Sequence, residues 1–358
     1  MQALTLPPRV KVGDAVALVS PSWFGAGAFP HRVERGRVYL DSLGLRLIVM
    51  PNALALGDWT AGTPSQRADD LHAAFSDPEV AVVLCAIAGN HSNELVDLLD
   101  YDLIRANPKV FQGLSDITVL HCALHRHAGL ATFYGPALVT SLAEFPVVFE
   151  QTDRSLRAAW FGDGPIEYEP ATEWTDEFLD FGTKADLTRA RERMPGDGWV
   201  WLHHGVAENP IFGGCLESLC WHVKGSAEWP DLEGCVLLLE PSEDAPSPAE
   251  VSSYLTDLRR LGVMKQISGL VFSRPINYRV EDVPTLWKVV RDATDGLGIW
   301  MVLSQRSFRT DLVFAAILLT AVLSIALFAA VVAAERAVIP WYRASRGARL
   351  PERTSEPA

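Results

Sequence analysis

The sequence predicts an α/β protein: an N-terminal parallel sheet flanked by helices, a second mixed α/β domain, and a single C-terminal transmembrane helix. Three observations lead there. Short apolar runs alternate with helical patterns over the first third of the chain, and a second strand-rich block follows residue 210. Residues 312–334 then run without a single charged side chain.

Taken in order, residues 15–20 (AVALVS) read as a buried strand ended by Pro21, and residues 32–43 as a helix stopped by Gly44. Residues 45–50 give a second strand, 64–75 a second helix, and 80–87 a third strand that runs into the loop Ala88-Gly89-Asn90-His91-Ser92-Asn93. Strands separated by helices pair in parallel, and the working residues of such sheets gather beyond the strands' carboxyl ends. The run PKVFQGLSDIT (residues 108–118) is a further strand that reaches Gly113 and then Ser115, with Asp116 in the first turn of a helix that Gly129 stops. A serine on that bend sits at the positive end of a helix dipole. It suits a nucleophile whose attack creates an oxyanion, and it equally suits a residue that only caps the helix.

Residues 146–210 are polar and weakly periodic, with Trp174, Trp199 and Trp201 as surface-packing or groove-lining aromatics. The stretch IFGGCLESL (211–219) looks like a glycine turn opening a helix. CVLLLEPSED (235–244) is a strand that delivers Glu240 at its end, either a surface carboxylate or an acid that orients a histidine. Residues 247–261 read as a helix and 268–272 as another buried strand. The domain division expected is 1–150, carrying Ser115; 151–305, carrying Glu240; 306–346, the membrane segment with its flanks; and 347–358, a polar tail.

Composition narrows the function. A net charge of −13 over 358 residues argues against a nucleic-acid partner. Cys85, Cys122, Cys215, Cys220 and Cys235 are odd in number with no C-x-x-C pair, so they read as reduced, buried thiols of a cytoplasmic protein. The N-terminus, MQALTLPP, lacks the basic start and apolar core of a secretory signal.

Several stretches in one order carry a specific resemblance: VALVSPS, AIAGNHSNELVDLLDYDLIRANPKVFQGLSDIT, GLATFYGPAL, EWTDEFLDF, IFGGCLESL and PDLEGCVLLLEPSEDAPSP. Together they resemble the LD-carboxypeptidase family of serine peptidases, and its microcin C self-immunity branch in particular, over about residues 8–290. The resemblance implies cleavage of an amide beside a free carboxyl-terminal group by a Ser–Glu–His triad, with no metal or organic cofactor. It makes Ser115 the nucleophile and Glu240 the acid, with the backbone N–H groups of Gly89 and Asp116 as oxyanion donors. It also puts Phe181 where the immunity branch stacks an aromatic on a nucleobase. The implied substrate is a murein peptide or a peptidyl-nucleotide of the microcin type, the second favoured by EWTDEFLDF and GGCLESL. A homodimer is compatible with the resemblance, though no pattern in the sequence demonstrates one.

Two departures stand out. Where the family usually pairs glycines in the oxyanion loop, the first is here Ala88. More seriously, the family's triad histidine belongs in a strand-end motif near residues 299–311, which read IWMVLSQRSFRTD, and no histidine follows His222. Without a general base a serine hydroxyl is a poor nucleophile near neutral pH. Of His91, His121, His125, His203 and His204, only His91 lies in the oxyanion loop. His121 and His125 are expected to point away from the bend.

The apolar run 312–334 (LVFAAILLTAVLSIALFAAVVAA) is long enough, at about 1.5 Å per residue, to cross a bilayer core of about 30 Å. Arg336, Arg343, Arg346, Arg349 and Arg353 follow it, so the positive-inside rule puts the tail in the cytoplasm and the preceding domain outside, against the N-terminus. SFRTDLVFAAILLTAVLSIALFAAVVAAERAVIPWYR resembles the last transmembrane segment of an ABC-type transporter permease. The expectation is a cytoplasmic peptidase truncated near residue 300 and fused to an inner-membrane tail. Its alternative is a catalytically inactive, membrane-tethered remnant.

Overall fold

A computed structural model describes residues 4–294, apart from 165, 197 and 204. Five parallel strands form the main sheet: β1 (Ala15–Val19), β2 (Arg46–Val49), β3 (Val80–Cys85), β4 (Val110–Gly113) and β5 (Phe133–Tyr134), in the order β2-β1-β3-β4-β5. The order reverses direction between β1 and β3, and a sheet wound this way opens a crevice at the carboxyl ends of those two strands.

Side-chain alternation explains why β1 is apolar throughout. Ala15, Ala17 and Val19 face one core with the helix Pro64–Ser76, while Val16 and Leu18 face the other with Val33 and Leu40 of the helix Pro30–Ser42. The expected helices and strands of the first third are all present within one or two residues of their predicted ends. The helix Pro64–Ser76 starts on a capping box, Thr63 Oγ1 taking the Gln66 N–H while Gln66 returns to the Thr63 N–H.

Two elements depart from expectation. The middle segment is not without periodic structure: Glu150–Phe161 is a helix whose Leu156 and Trp160 are buried. Its polar exposed face hid that pattern. Residues 211–215 are a strand, β8 (Ile211–Cys215), rather than a glycine turn. With β9 (Val236–Glu240) and β10 (Gly269–Phe272) it makes a second parallel sheet in the order β10-β9-β8. Between the two sheets in sequence lies a two-stranded antiparallel ribbon, β6 (Glu173–Trp174) with β7 (Met194–Pro195). The helix Pro248–Arg260 follows β9, capped by Ser247 and Glu250.

All five cysteines are buried and unbridged, as the odd count implied. Among the described residues no helix is long and apolar enough to cross a membrane. The expected span, 312–334, lies outside the described residues.

Candidate active site

The bend after β4 holds Ser115 in a strained backbone conformation. Ser115 has φ 57°, a left-handed conformation that costs a non-glycine residue about 1–3 kcal/mol. Its N–H donates to the Tyr134 hydroxyl at 2.8 Å, and its carbonyl accepts from Thr118 Oγ1 at 2.6 Å. Thr118 opens the helix Thr118–Ala123 and also takes the Cys215 N–H at 2.9 Å, which bolts the bend to the end of β8. A Cβ on Gly214 would stand 2.5 Å from Thr118 Oγ1, so Gly214 serves this close approach, while Gly213 makes room for the Leu238 backbone of β9. The Ser115 Oγ itself has no hydrogen-bond partner among the described residues.

The expected oxyanion donors are both available. Neither the Gly89 N–H nor the Asp116 N–H finds an acceptor among the described residues. Gly89 is required sterically, since a Cβ there would lie 2.5 Å from Ser22 Oγ and 2.9 Å from Trp23 Cβ. Ala88 is not among the residues with positive φ, so alanine fits this position without backbone strain.

The Asp116 side chain has a role that sequence reading missed. It is 1% exposed, and its Oδ2 accepts the Ser22 hydroxyl at 2.7 Å and the Ser92 N–H at 2.9 Å. The Ser92 hydroxyl returns to the Asp116 carbonyl, and the His91 N–H reaches Ser22 Oγ. Buried Arg67 adds bonds to the carbonyls of Pro21 and His91 and to Glu94. The loop that carries Gly89 is therefore held from β1, β4 and the Pro64–Ser76 helix at once. Its serine signal was present in VALVSPS but pointed to no partner.

Glu240 ends β9, in register with Cys215. Its Oε2 accepts the Tyr134 hydroxyl proton. Burial pushes its carboxyl above the ordinary range; the Tyr134 bond opposes this, and the carboxylates of Glu243 and Glu217 add to it. Tyr134 is likewise raised well above its usual value, by burial and then by Glu240 and Cys215.

None of the described candidate histidines hydrogen-bonds Ser115 Oγ or Glu240. His121 does not point away from the bend, as expected, but turns back beneath it. Its Nε2 donates to the Gly113 carbonyl at 3.1 Å and its Nδ1 accepts from Thr132 at 2.8 Å. Burial drops its pKa to about 4, so it is a neutral structural group. His125 packs on Phe212, and the His91 ring faces Trp59 at 6.1 Å. His204 lies outside the described residues.

Phe181 carries the Arg32 guanidinium over its ring at 4.0 Å and meets Phe29 edge-on at 5.5 Å. Phe29 in turn meets Trp23, the residue against Gly89, at 5.8 Å. Rings thus run from Phe181 to the oxyanion loop. The EWTDEF motif is spent internally: Trp174 Nε1 donates to the Pro195 carbonyl, Arg274 lies 3.6 Å above its ring, Asp176 takes the Asn277 N–H, and Glu177 pairs with Arg189.

A doubly wound sheet with a strained serine on a strand–helix bend, N–H groups beside it that find no acceptor among the described residues, and a buried acid from a second sheet is an arrangement compatible with serine acyl-transfer chemistry. Residues 16–135 match the LD-carboxypeptidase N-terminal domain and residues 208–308 the LD-carboxypeptidase C-terminal domain. The chain belongs to the LD-carboxypeptidase family. The second match runs past residue 300, where the sequence had placed the join to the tail. The microcin C7 self-immunity protein MccF of Escherichia coli is 28% identical over 272 residues, 75% of this chain and 78% of that protein. The murein tetrapeptide carboxypeptidase of Pseudomonas aeruginosa is 40% identical over 90 residues, 25% of this chain and 29% of that protein. The solved structure of MccF in complex with aspartyl sulfamoyl adenosine superposes with a TM-score of 0.71 at 25% identity, covering 81% of this chain and 88% of that one.

Proposed function

We propose that this chain is a serine-type carboxypeptidase whose substrate is a small peptidyl-nucleotide of the microcin type, with murein peptides as the second substrate class. Ser115 Oγ attacks the amide carbonyl, and the N–H groups of Gly89 and Asp116 receive the developing oxyanion. Collapse expels the amine and leaves a Ser115 ester, which water hydrolyses. Glu240 is the acid that would orient an imidazole, and Phe181 contributes to the wall on the substrate's base side. One observation carries the reading: a single phenol, Tyr134, joins the strained nucleophile's N–H to the acid from the second sheet.

Ser115 must lose a proton and the leaving amine must gain one, and no histidine follows His222 to carry it. Losing one triad member typically lowers rate by several orders of magnitude. That single sequence fact favours a second reading, a ligand-binding protein that has lost turnover. Purified protein and Ser115→Ala, each given a peptidyl-aminoacyl sulfamate or an LD-linked tetrapeptide, separate the two. Hydrolysis above the alanine variant supports the enzyme, and equal rates in folded proteins support the binder.

We also read the chain as an N-terminal domain to about residue 150, a C-terminal peptidase domain, and a tail in which 312–334 tethers the protein to a membrane as in the fusion the sequence suggests. Homodimers belong to the same proposal. Alkaline carbonate extraction of cell membranes tests the tether: protein released to the supernatant removes it.

A further inference from the structure

We propose that Tyr134 is a positioning residue, setting the nucleophile bend and the acid against one another by holding the Ser115 N–H and Glu240 Oε2 on one phenol oxygen. This rests on the reading of Ser115 and Glu240 given above and adds the part that couples them.

The direction of each bond is fixed by chemistry. A backbone N–H can only donate, so the phenol oxygen accepts from Ser115 at 2.8 Å. With the phenol oxygen accepting from Ser115, its single hydroxyl proton goes to Glu240 Oε2, which accepts it. Tyr134 is therefore neutral, with its proton aimed at the acid. Its own place is set from two sides. It ends β5, paired with Gly113 of β4, which brings its oxygen to the carboxyl end of the sheet. Behind it stands the His121 ring at 5.8 Å, itself locked between the Gly113 carbonyl and Thr132.

Two consequences follow for the site. The left-handed Ser115 keeps its N–H satisfied inside the protein, so the bend does not need solvent to hold its shape. The acid's Oε2 is occupied, while Oε1 has no partner among the described residues and stays open to a further donor. Other groups bearing on this pair are Glu217 and Glu243 on Glu240, and Cys215 on Tyr134. None of them supplies a proton donor that could replace the phenol at Oε2.

The test is a pair of titrations on the full chain, with carboxyl-13C glutamate and ring-13C tyrosine. Glu240→Gln and Tyr134→Phe assign the two signals. In Tyr134→Phe the Glu240 midpoint is expected to rise by about one pH unit, the size typical of losing one hydrogen bond to a charged form. In Glu240→Gln the Tyr134 midpoint is expected to fall. A protein in which either group titrates unchanged when its partner is replaced overturns the proposal. If Tyr134→Phe does not fold, the Glu240→Gln arm decides alone. Neither titration needs turnover, so loss of the Ser115 hydrolysis assay would sink the enzymatic reading and leave this coupling separately decided.

Discussion

Asp116 and Ser22 are joined by a buried 2.7 Å hydrogen bond that ties the residue after Ser115 to the turn after β1. The same carboxylate oxygen holds the Ser92 N–H, so one side chain links the Ser115 bend to the loop that carries Gly89. Replacing it with alanine strands a buried hydroxyl and a buried N–H. Asp116→Ala is expected to lose about 3 kcal/mol in urea unfolding, with Asp116→Asn losing less because an amide oxygen can still accept.

Gly89 and its neighbour Ala88 should respond very unequally to substitution. Gly89→Ala forces a Cβ to 2.5 Å from Ser22 Oγ, and the loop must shift with it. We expect about 1–3 kcal/mol of destabilisation and loss of any Ser115-dependent rate. Ala88→Gly, at a position without positive φ, should change stability by less than about 1 kcal/mol. Thermal melts of both variants check the contrast.

Acid stability should carry the mark of His121. Its folded pKa is about 4 against an ordinary 6.5, because burial disfavours the charged ring. Between those values the unfolded chain binds more protons, so stability rises with pH across the window and is lost as pH falls through it. The full cost below pH 4 is roughly 3 kcal/mol. His121→Gln, which still donates and accepts, should flatten the urea midpoint between pH 4 and 6.5.

Glu240 works in the other direction. Its folded pKa is raised by burial, so the native state holds its proton longer than the unfolded chain does. That contribution to stability is present at low pH and is lost as pH rises through the folded value. Glu240→Gln should therefore gain stability relative to the parent as pH is raised towards neutrality, measured by the same unfolding series.

The strands and helices of the first sheet were readable because each is buried on one or both faces, which forces a periodic pattern: β1 is apolar at every position for that reason. The placement of Ser115 just after β4 and of Glu240 at the end of β9 was readable from the apolar runs before them. The helix Glu150–Phe161 was missed because only its Leu156 and Trp160 are fully buried, too few to show periodicity. β8 was misread because glycine normally argues for a turn, whereas Gly214 here makes room for Thr118. Tyr134 and the Asp116–Ser22–Ser92 network were invisible for a different reason. A hydrogen bond between residues far apart in sequence leaves no local pattern, and both depend on three strand ends meeting at one edge.

Ser115 is proposed as a nucleophile in a site where no histidine among the described residues bonds it or Glu240. Full-length protein and Ser115→Ala, each given aspartyl sulfamoyl adenosine with increasing free imidazole in the buffer, test it most directly. Slow aspartate release by the parent is expected, at a rate that climbs with imidazole, with no such climb in Ser115→Ala. Imidazole raising both proteins equally, or leaving a folded parent at the rate of the alanine variant, would contradict it.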